Sequence, residues 1–174
     1  MRHHNTVYQC TPIFLALIVT LFLCNTAMAR NNAMLVLKTE VAVAKEISVK
    51  EGNASITKYE PVLETRPGDI LLYTVTYHNE GDSPAKSARI VDPIPEGTVY
   101  IMESASGIGT VIQFSIDEGA TWQSHPVMHM VRKPDGSMKK EMARPEIFTH
   151  IRWFLTDEVP AGGSGTVSFR VNVK

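Results

Sequence analysis

The sequence predicts an all-β domain, an antiparallel β-sandwich of about seven to nine strands. Short runs of β-branched and aromatic residues alternate with polar residues along most of the chain. Turn signals rich in Gly, Pro, Asp and Asn separate these runs at fairly regular spacing. No long segment has a helical period, and 174 residues are enough for one domain with a hydrophobic core.

Residues 1–29 have the composition of a secretory signal peptide. Arg2 precedes an apolar run over residues 12–24, and Ala27 and Ala29 are small residues at the two positions that signal peptidase reads. The apolar run is shorter than the roughly 18 residues of a membrane-spanning helix. We therefore expect cleavage before Arg30, a short extension over residues 30–34, one domain over residues 35–174, and no membrane span after cleavage.

Composition narrows the compartment and the partners. Both cysteines, Cys10 and Cys24, lie in the predicted signal, so a mature chain would have no disulfide and would depend on its core. This favours a bacterial exported protein that is periplasmic, extracellular or attached to the cell surface. Removal of Arg2 leaves 16 basic against 18 acidic residues without a basic stripe, so nucleic acid is not an expected partner.

Eight segments are predicted as strands, namely residues 35–45, 70–78, 87–92, 98–102, 110–116, 126–132, 147–155 and 166–173. Period-two alternation places Leu71 and Val75 on the buried face of the second segment. It places Phe169 and Val171 on the buried face of the last. The stretch over residues 136–143 is predicted as an exposed loop or a hairpin end.

A set of turn and strand residues carries a family resemblance. These residues flank two of the predicted strands: Pro67, Gly68, Asp69, Tyr73, Asn79, Gly81, Asp92, Pro93, Pro95 and Gly97. As a set they resemble the conserved repeat known as domain of unknown function 11, an immunoglobulin-like module of prokaryotic envelope proteins. The resemblance implies Greek-key connections and a structural, adhesive or spacer role outside the cytoplasm, without catalytic residues. Pro93 and Pro95 cannot donate to a strand ladder, so the chain is predicted to cross between sheets there.

A second motif lies at residues 115–122, with the sequence SIDEGATW. It resembles the Asp-box of sialidases and other carbohydrate-active enzymes at Ser115, Asp117, Gly119, Thr121 and Trp122. Each of these residues also suits a hairpin turn, with Asp117 accepting backbone N–H groups and Trp122 returning the chain to the core. A sialidase propeller needs several such boxes, and glycoside hydrolysis needs two paired carboxylates. We interpret the motif as a structural clamp and expect no enzymatic activity.

An intramolecular isopeptide bond is a further hypothesis, because such bonds occur in some immunoglobulin-like surface domains. Lys45, Asp92 and Asn172 follow each other in the required order. Lys45 shares a predicted face with Val41 and Val43, whereas Asn172 is predicted to point outward. A solvated lysine and a surface asparagine are therefore the favoured interpretation.

The remaining ligand candidates are weak. The histidines are scattered, so no zinc site is expected, and no loop carries a calcium-binding run; no cofactor is predicted. Residues 128–142 combine four methionines with Arg132, Lys133, Lys139 and Lys140. This segment is predicted either as a partner-binding hairpin or as a mobile solvated loop that contributes two methionines to the core.

Three classes of function remain. The main hypothesis is an exported, non-enzymatic structural or interaction module of the bacterial cell envelope, with another envelope protein as candidate partner. The second is a carbohydrate-binding or carbohydrate-active accessory protein, which should show clustered exposed aromatic residues; both Trp122 and Trp153 are predicted for the core. The third is a periplasmic assembly partner that uses edge-strand pairing. The oligomeric state stays open.

Overall fold

The computed structural model describes residues 37–52 and 54–174. The predicted signal peptide and the extension at residues 30–34 lie outside the described residues. The described chain is all-β, and its strands pair in antiparallel sheets, as predicted. One 3-10 turn, Pro145–Ile147, precedes a strand. No helix in the described ranges is long and apolar enough to cross a membrane.

Within the described residues, eleven strands form three sheets. Their bounds are β1 Leu37–Glu51, β2 Ala54–Pro61, β3 Ile70–Asn79, β4 Arg89–Pro93, β5 Thr98–Tyr100, β6 Ser106–Gly107, β7 Thr110–Ser115, β8 Met128–Arg132, β9 Met138–Met142, β10 His150–Leu155 and β11 Ser164–Val173. The larger sheet has the order β2-β1-β3-β11-β5, with β6 also on β11, and the smaller has the order β4-β10-β7. Among the described strands, β8 and β9 pair only with each other.

Three of these strands, β2, β6 and β9, were not predicted. β2 carries polar and charged residues on both faces and is exposed along most of its length, so it lacks an apolar alternation. β6 has only two residues. β9 lies in the stretch predicted as a loop or hairpin end, and its pairing with β8 shows that it is one arm of a hairpin.

The two larger sheets pack face to face around an aromatic core. Trp153 of β10 and Phe169 of β11 are both fully buried, and their ring centroids lie 6.0 Å apart across the two sheets. Tyr100 of β5 and Phe114 of β7 make a similar contact at 5.3 Å. The predicted inward faces of β3 and β11 are the buried ones. The antiparallel β-sandwich is thereby confirmed.

The chain crosses between sheets at the predicted prolines. β4 ends at Pro93 in the smaller sheet, and β5 begins at Thr98 in the larger one. The Thr98 N–H donates to the Pro95 carbonyl at 3.2 Å, and Gly97 has a φ of 76°. The last strand, β11, lies inside the larger sheet between β3 and β5. In an immunoglobulin constant-type sandwich the last strand belongs to the three-stranded sheet, so the predicted Greek-key order is not confirmed.

Candidate interaction surface

The family-motif residues before β3 form a turn that ties three strands together. Gly68 has a φ of 91°, which suits the third position of a type II turn after Pro67. The Asp69 carboxylate accepts the Arg66 N–H and the Lys45 ammonium, each at 2.7 Å. These contacts, the Lys45 hydrogen bond first, lower the pKa of Asp69. The Gly68 N–H donates to the Val173 carbonyl at 2.8 Å, so the turn fixes where β3 starts beside β1 and β11.

The motif residue at the end of β3 is a buried hydrogen-bond centre. Asn79 is fully buried, and its Nδ2 donates to the carbonyls of Ser83 and Val159 at 2.8 and 2.9 Å. Its Oδ1 accepts the Gly81 N–H at 3.0 Å. The side chain thus joins the loop after β3 to the connection between β10 and β11, which is a structural role.

The Asp-box residues form the hydrogen bonds expected of a clamp. Asp117 Oδ1 accepts the Thr121 N–H at 2.9 Å, and Oδ2 accepts the Thr121 hydroxyl at 2.6 Å. The Ser115 hydroxyl donates to Asp117 Oδ1 at 2.7 Å and accepts the Gly119 N–H at 2.9 Å. These donors, with the Thr121 hydroxyl first, lower the pKa of Asp117 to about 2. Gly119 has a φ of 83°, as a left-handed turn position requires.

Trp122 differs from the prediction. It is half-buried and lies outside the core, on the outer face of the smaller sheet. The Arg152 guanidinium lies over its ring at 4.4 Å, and Arg152 also donates to Gln113. Side chains alternate between the two faces of β10, so Arg152 points away from the buried face that carries Ile151 and Trp153. Because one ring face already carries Arg152, Trp122 does not offer that face as a platform for a sugar ring.

The three residues of the isopeptide hypothesis are not brought together. Lys45 pairs in register with Leu71, whereas Asn172 pairs with Ile70 one row away. Consecutive rows of a sheet face opposite sides, so Lys45 and Asn172 point away from each other. Lys45 is already paired with Asp69. Asp92 is half-buried, and burial raises its pKa.

The methionine-rich segment is an exposed β-hairpin. Met130, Met138 and Met142 are each more than half exposed, and Met128 is not part of the core, so the predicted contribution of two methionines to the core is wrong. Only the base of the hairpin is anchored: Val127 and Ala143 are buried, and the Ala143 N–H donates to the Val127 carbonyl at 2.8 Å. The β8–β9 hairpin therefore projects as an arm from the sandwich.

Two further places bear on ligand binding. Tyr100, Phe114 and Phe148 border an apolar pocket of about 300 Å³. The Tyr100 hydroxyl already accepts the Ala105 N–H at 3.1 Å. The wall of the pocket is therefore mostly apolar, and few polar groups remain to orient a bound ligand. Among the described residues, no three His, Cys, Asp or Glu side chains converge to hold a metal ion.

One side of β1 is only partly covered by a neighbouring strand, and this feature was not predicted from the sequence. β3 pairs with β1 from Leu37 to Glu46, whereas β2 covers the opposite side only from Ala44 to Glu51. Within the described ranges, no strand pairs with that second side over residues 37–43. Val41 is 52% exposed there, although its neighbour Val75 on β3 is only 2% exposed. Among the described residues, this side of β1 therefore combines unpaired backbone groups with apolar surface.

Comparisons with protein-family models, with curated proteins and with solved structures found no match for this chain. The resemblance to domain of unknown function 11 stays a prediction from the motif residues.

Proposed function

We propose that the protein is an exported, non-enzymatic interaction module of the bacterial cell envelope, and that it binds an extended polypeptide strand along the open edge of β1. The observation that carries this proposal is the unequal coverage of β1, which is paired on both sides only over residues 44–46. An open edge presents N–H and C=O groups in a row, and a partner strand satisfies them by main-chain hydrogen bonds.

The motif residues support a non-enzymatic role. Asp117 and Asn79 are engaged in hydrogen bonds that shape loops, and Asp69 is engaged by Lys45 and the Arg66 backbone. A carboxylate whose pKa lies near 2 is a poor general acid or base at neutral pH. β3 pairs with ten consecutive residues of β1. Because this pairing keeps β1 extended, the sandwich would hold the open edge in place for a partner strand.

Site-specific photocrosslinking in cells that export the protein tests this proposal. A benzoylphenylalanine residue replaces Val41 at the apolar open edge of β1, and the control replaces Tyr59, which is 48% exposed on β2; among the described strands β2 also pairs on one side only, but most of its side chains are polar. We expect crosslinked species at Val41 that are absent or several-fold weaker at Tyr59. Equal or absent crosslinking at the two positions would contradict binding at this edge.

A further inference from the structure

The pattern of side chains along the open edge is complementary to itself. Leu37, Thr39 and Val41 lie on the face that β3 continues with Val75 and Tyr77, which are buried. Lys38 and Glu40 lie on the opposite face and are joined at 3.0 Å. Lys38 also lies 3.8 Å from Glu80. Both Lys38 and Glu40 are more than half exposed, and exposed ion pairs are weak, so these side chains can exchange their present partners for those of a neighbouring strand. One face of this short strand thus carries uncharged side chains, and the other face carries two side chains of opposite charge.

We propose that the strand added at this edge is β1 of a second copy of the chain, antiparallel to the first, with Thr39 of both copies at the two-fold axis. This inference rests on the proposed function of the β1 edge. In this register Leu37 lies opposite Val41 of the second copy, and Lys38 lies opposite Glu40 of the second copy. The symmetry forms each pair twice, as an isologous interface requires.

Neighbouring registers lack this complementarity. An axis at Glu40 places the two Glu40 carboxylates opposite each other, and an axis at Lys38 does the same with the two ammonium groups. Directly opposed like charges destabilise a sheet, whereas opposite charges and apolar pairs stabilise it. The axis at Thr39 also covers the exposed side chain of Val41 on both copies. The larger sheet would then continue across both molecules.

Charge reversal tests the pairing with purified protein. The variants Lys38→Glu and Glu40→Lys each place like charges opposite each other, so we expect each variant alone to dimerise about tenfold more weakly than the original chain. An equimolar mixture of the two variants pairs opposite charges again, and we expect a heterodimer as stable as the original homodimer. Sedimentation velocity over a concentration series measures all three samples. The mixed sample also separates loss of pairing from misfolding.

A cysteine scan tests the register. In a chain with Cys10→Ser and Cys24→Ser, single cysteines are placed in turn at positions 38 to 42. Only Thr39→Cys brings two sulfur atoms within disulfide distance, so we expect a covalent dimer at that position alone. Val41→Cys is the matched control, since its symmetry mate would lie roughly 13 Å away.

Several results would overturn the inference. A chain that stays monomeric at about 1 mM, well above the dissociation constant of a specific interface, has no dimer of this kind. Disulfide formation that peaks away from position 39, or a variant mixture that stays monomeric, would refute this register. If the purified chain is monomeric while Val41 crosslinks in cells to a protein of different mass, the proposed function stands and the self-pairing fails.

Discussion

At the scale of single residues, Asp117 shows how a local motif fixes a turn without supplying chemistry. Its two carboxylate oxygens accept three hydrogen bonds from Ser115 and Thr121. All the partners lie within four residues along the chain, and for this reason the clamp could be predicted from the sequence.

The clamp predicts a pH-dependent loss of stability on substitution. The pKa of Asp117 falls from 3.8 to about 2 in the folded protein, so the carboxylate stabilises the fold fully above about pH 4 and progressively less as the pH falls through 2. We expect Asp117→Ala to lower Tm by roughly 2 to 6 °C at neutral pH. The difference from the original chain should shrink toward pH 2.

Thermal unfolding followed by circular dichroism between pH 2 and 7 measures this difference. Asp117→Asn is the matched control, because it keeps one acceptor oxygen but does not titrate. Neither Asn nor Ala titrates at this position, so the Tm difference between Asp117→Asn and Asp117→Ala should change little with pH. A Tm for Asp117→Ala equal to that of the original chain at neutral pH would contradict the clamp.

The position of Trp122 could not be predicted in the same way. Its main partner, Arg152, lies on β10 and comes into contact only through the pairing of β10 with β7. A tryptophan at the end of a turn motif is equally compatible with the core and with a cationic side chain on the surface. Local pattern alone therefore does not distinguish the two environments.

At the scale of elements, strands were predictable wherever one face is buried. β3 and β11 alternate because one of their faces meets the core. β2 and β9 are exposed on both faces. They are strands because β2 pairs with β1 and β9 pairs with β8, not because their side chains alternate between apolar and polar. The open edge of β1 depends on where β2 ends, at Pro61 opposite Ala44. That edge is a property of pairing lengths, so no residue pattern within β1 reveals it.

We expect that the β8–β9 hairpin can be shortened without loss of stability. His129 pairs with Glu141, so a two-residue Asn-Gly turn can join them in place of residues 130–140. The removed part is mostly exposed, and we expect Tm to stay within about 2 °C of the original chain. Differential scanning calorimetry measures this change. A much larger decrease would show that the arm packs against the sandwich.

A control at the base of the hairpin makes this comparison informative. Val127 is fully buried, so Val127→Ala removes core contacts and should cost about 2 kcal/mol of unfolding free energy. The shortened chain should be more stable than this single substitution.

At the scale of the whole molecule, stability depends on the contact between two sheets in a chain whose described residues contain no cysteine. Ile151, Trp153 and Phe169 are all fully buried at this contact. The sandwich could be predicted because apolar alternation reports which residues face inward. The assignment of strands to sheets could not, because neither the position of β11 beside β3 nor that of β10 beside β4 is encoded in a local pattern.

Trp153 provides the sharpest test of this contact. Its ring lies 6.0 Å from Phe169 across the sheets, and its Nε1–H is buried without a hydrogen-bond partner among the described residues. Trp153→Ala should cost about 3–5 kcal/mol, a large share of the stability of an ordinary domain. Trp153→Phe should cost clearly less, because it keeps a ring between the sheets and removes the unpaired N–H group. Urea unfolding of both variants measures the difference, and equal losses would show that ring packing across the two sheets contributes little.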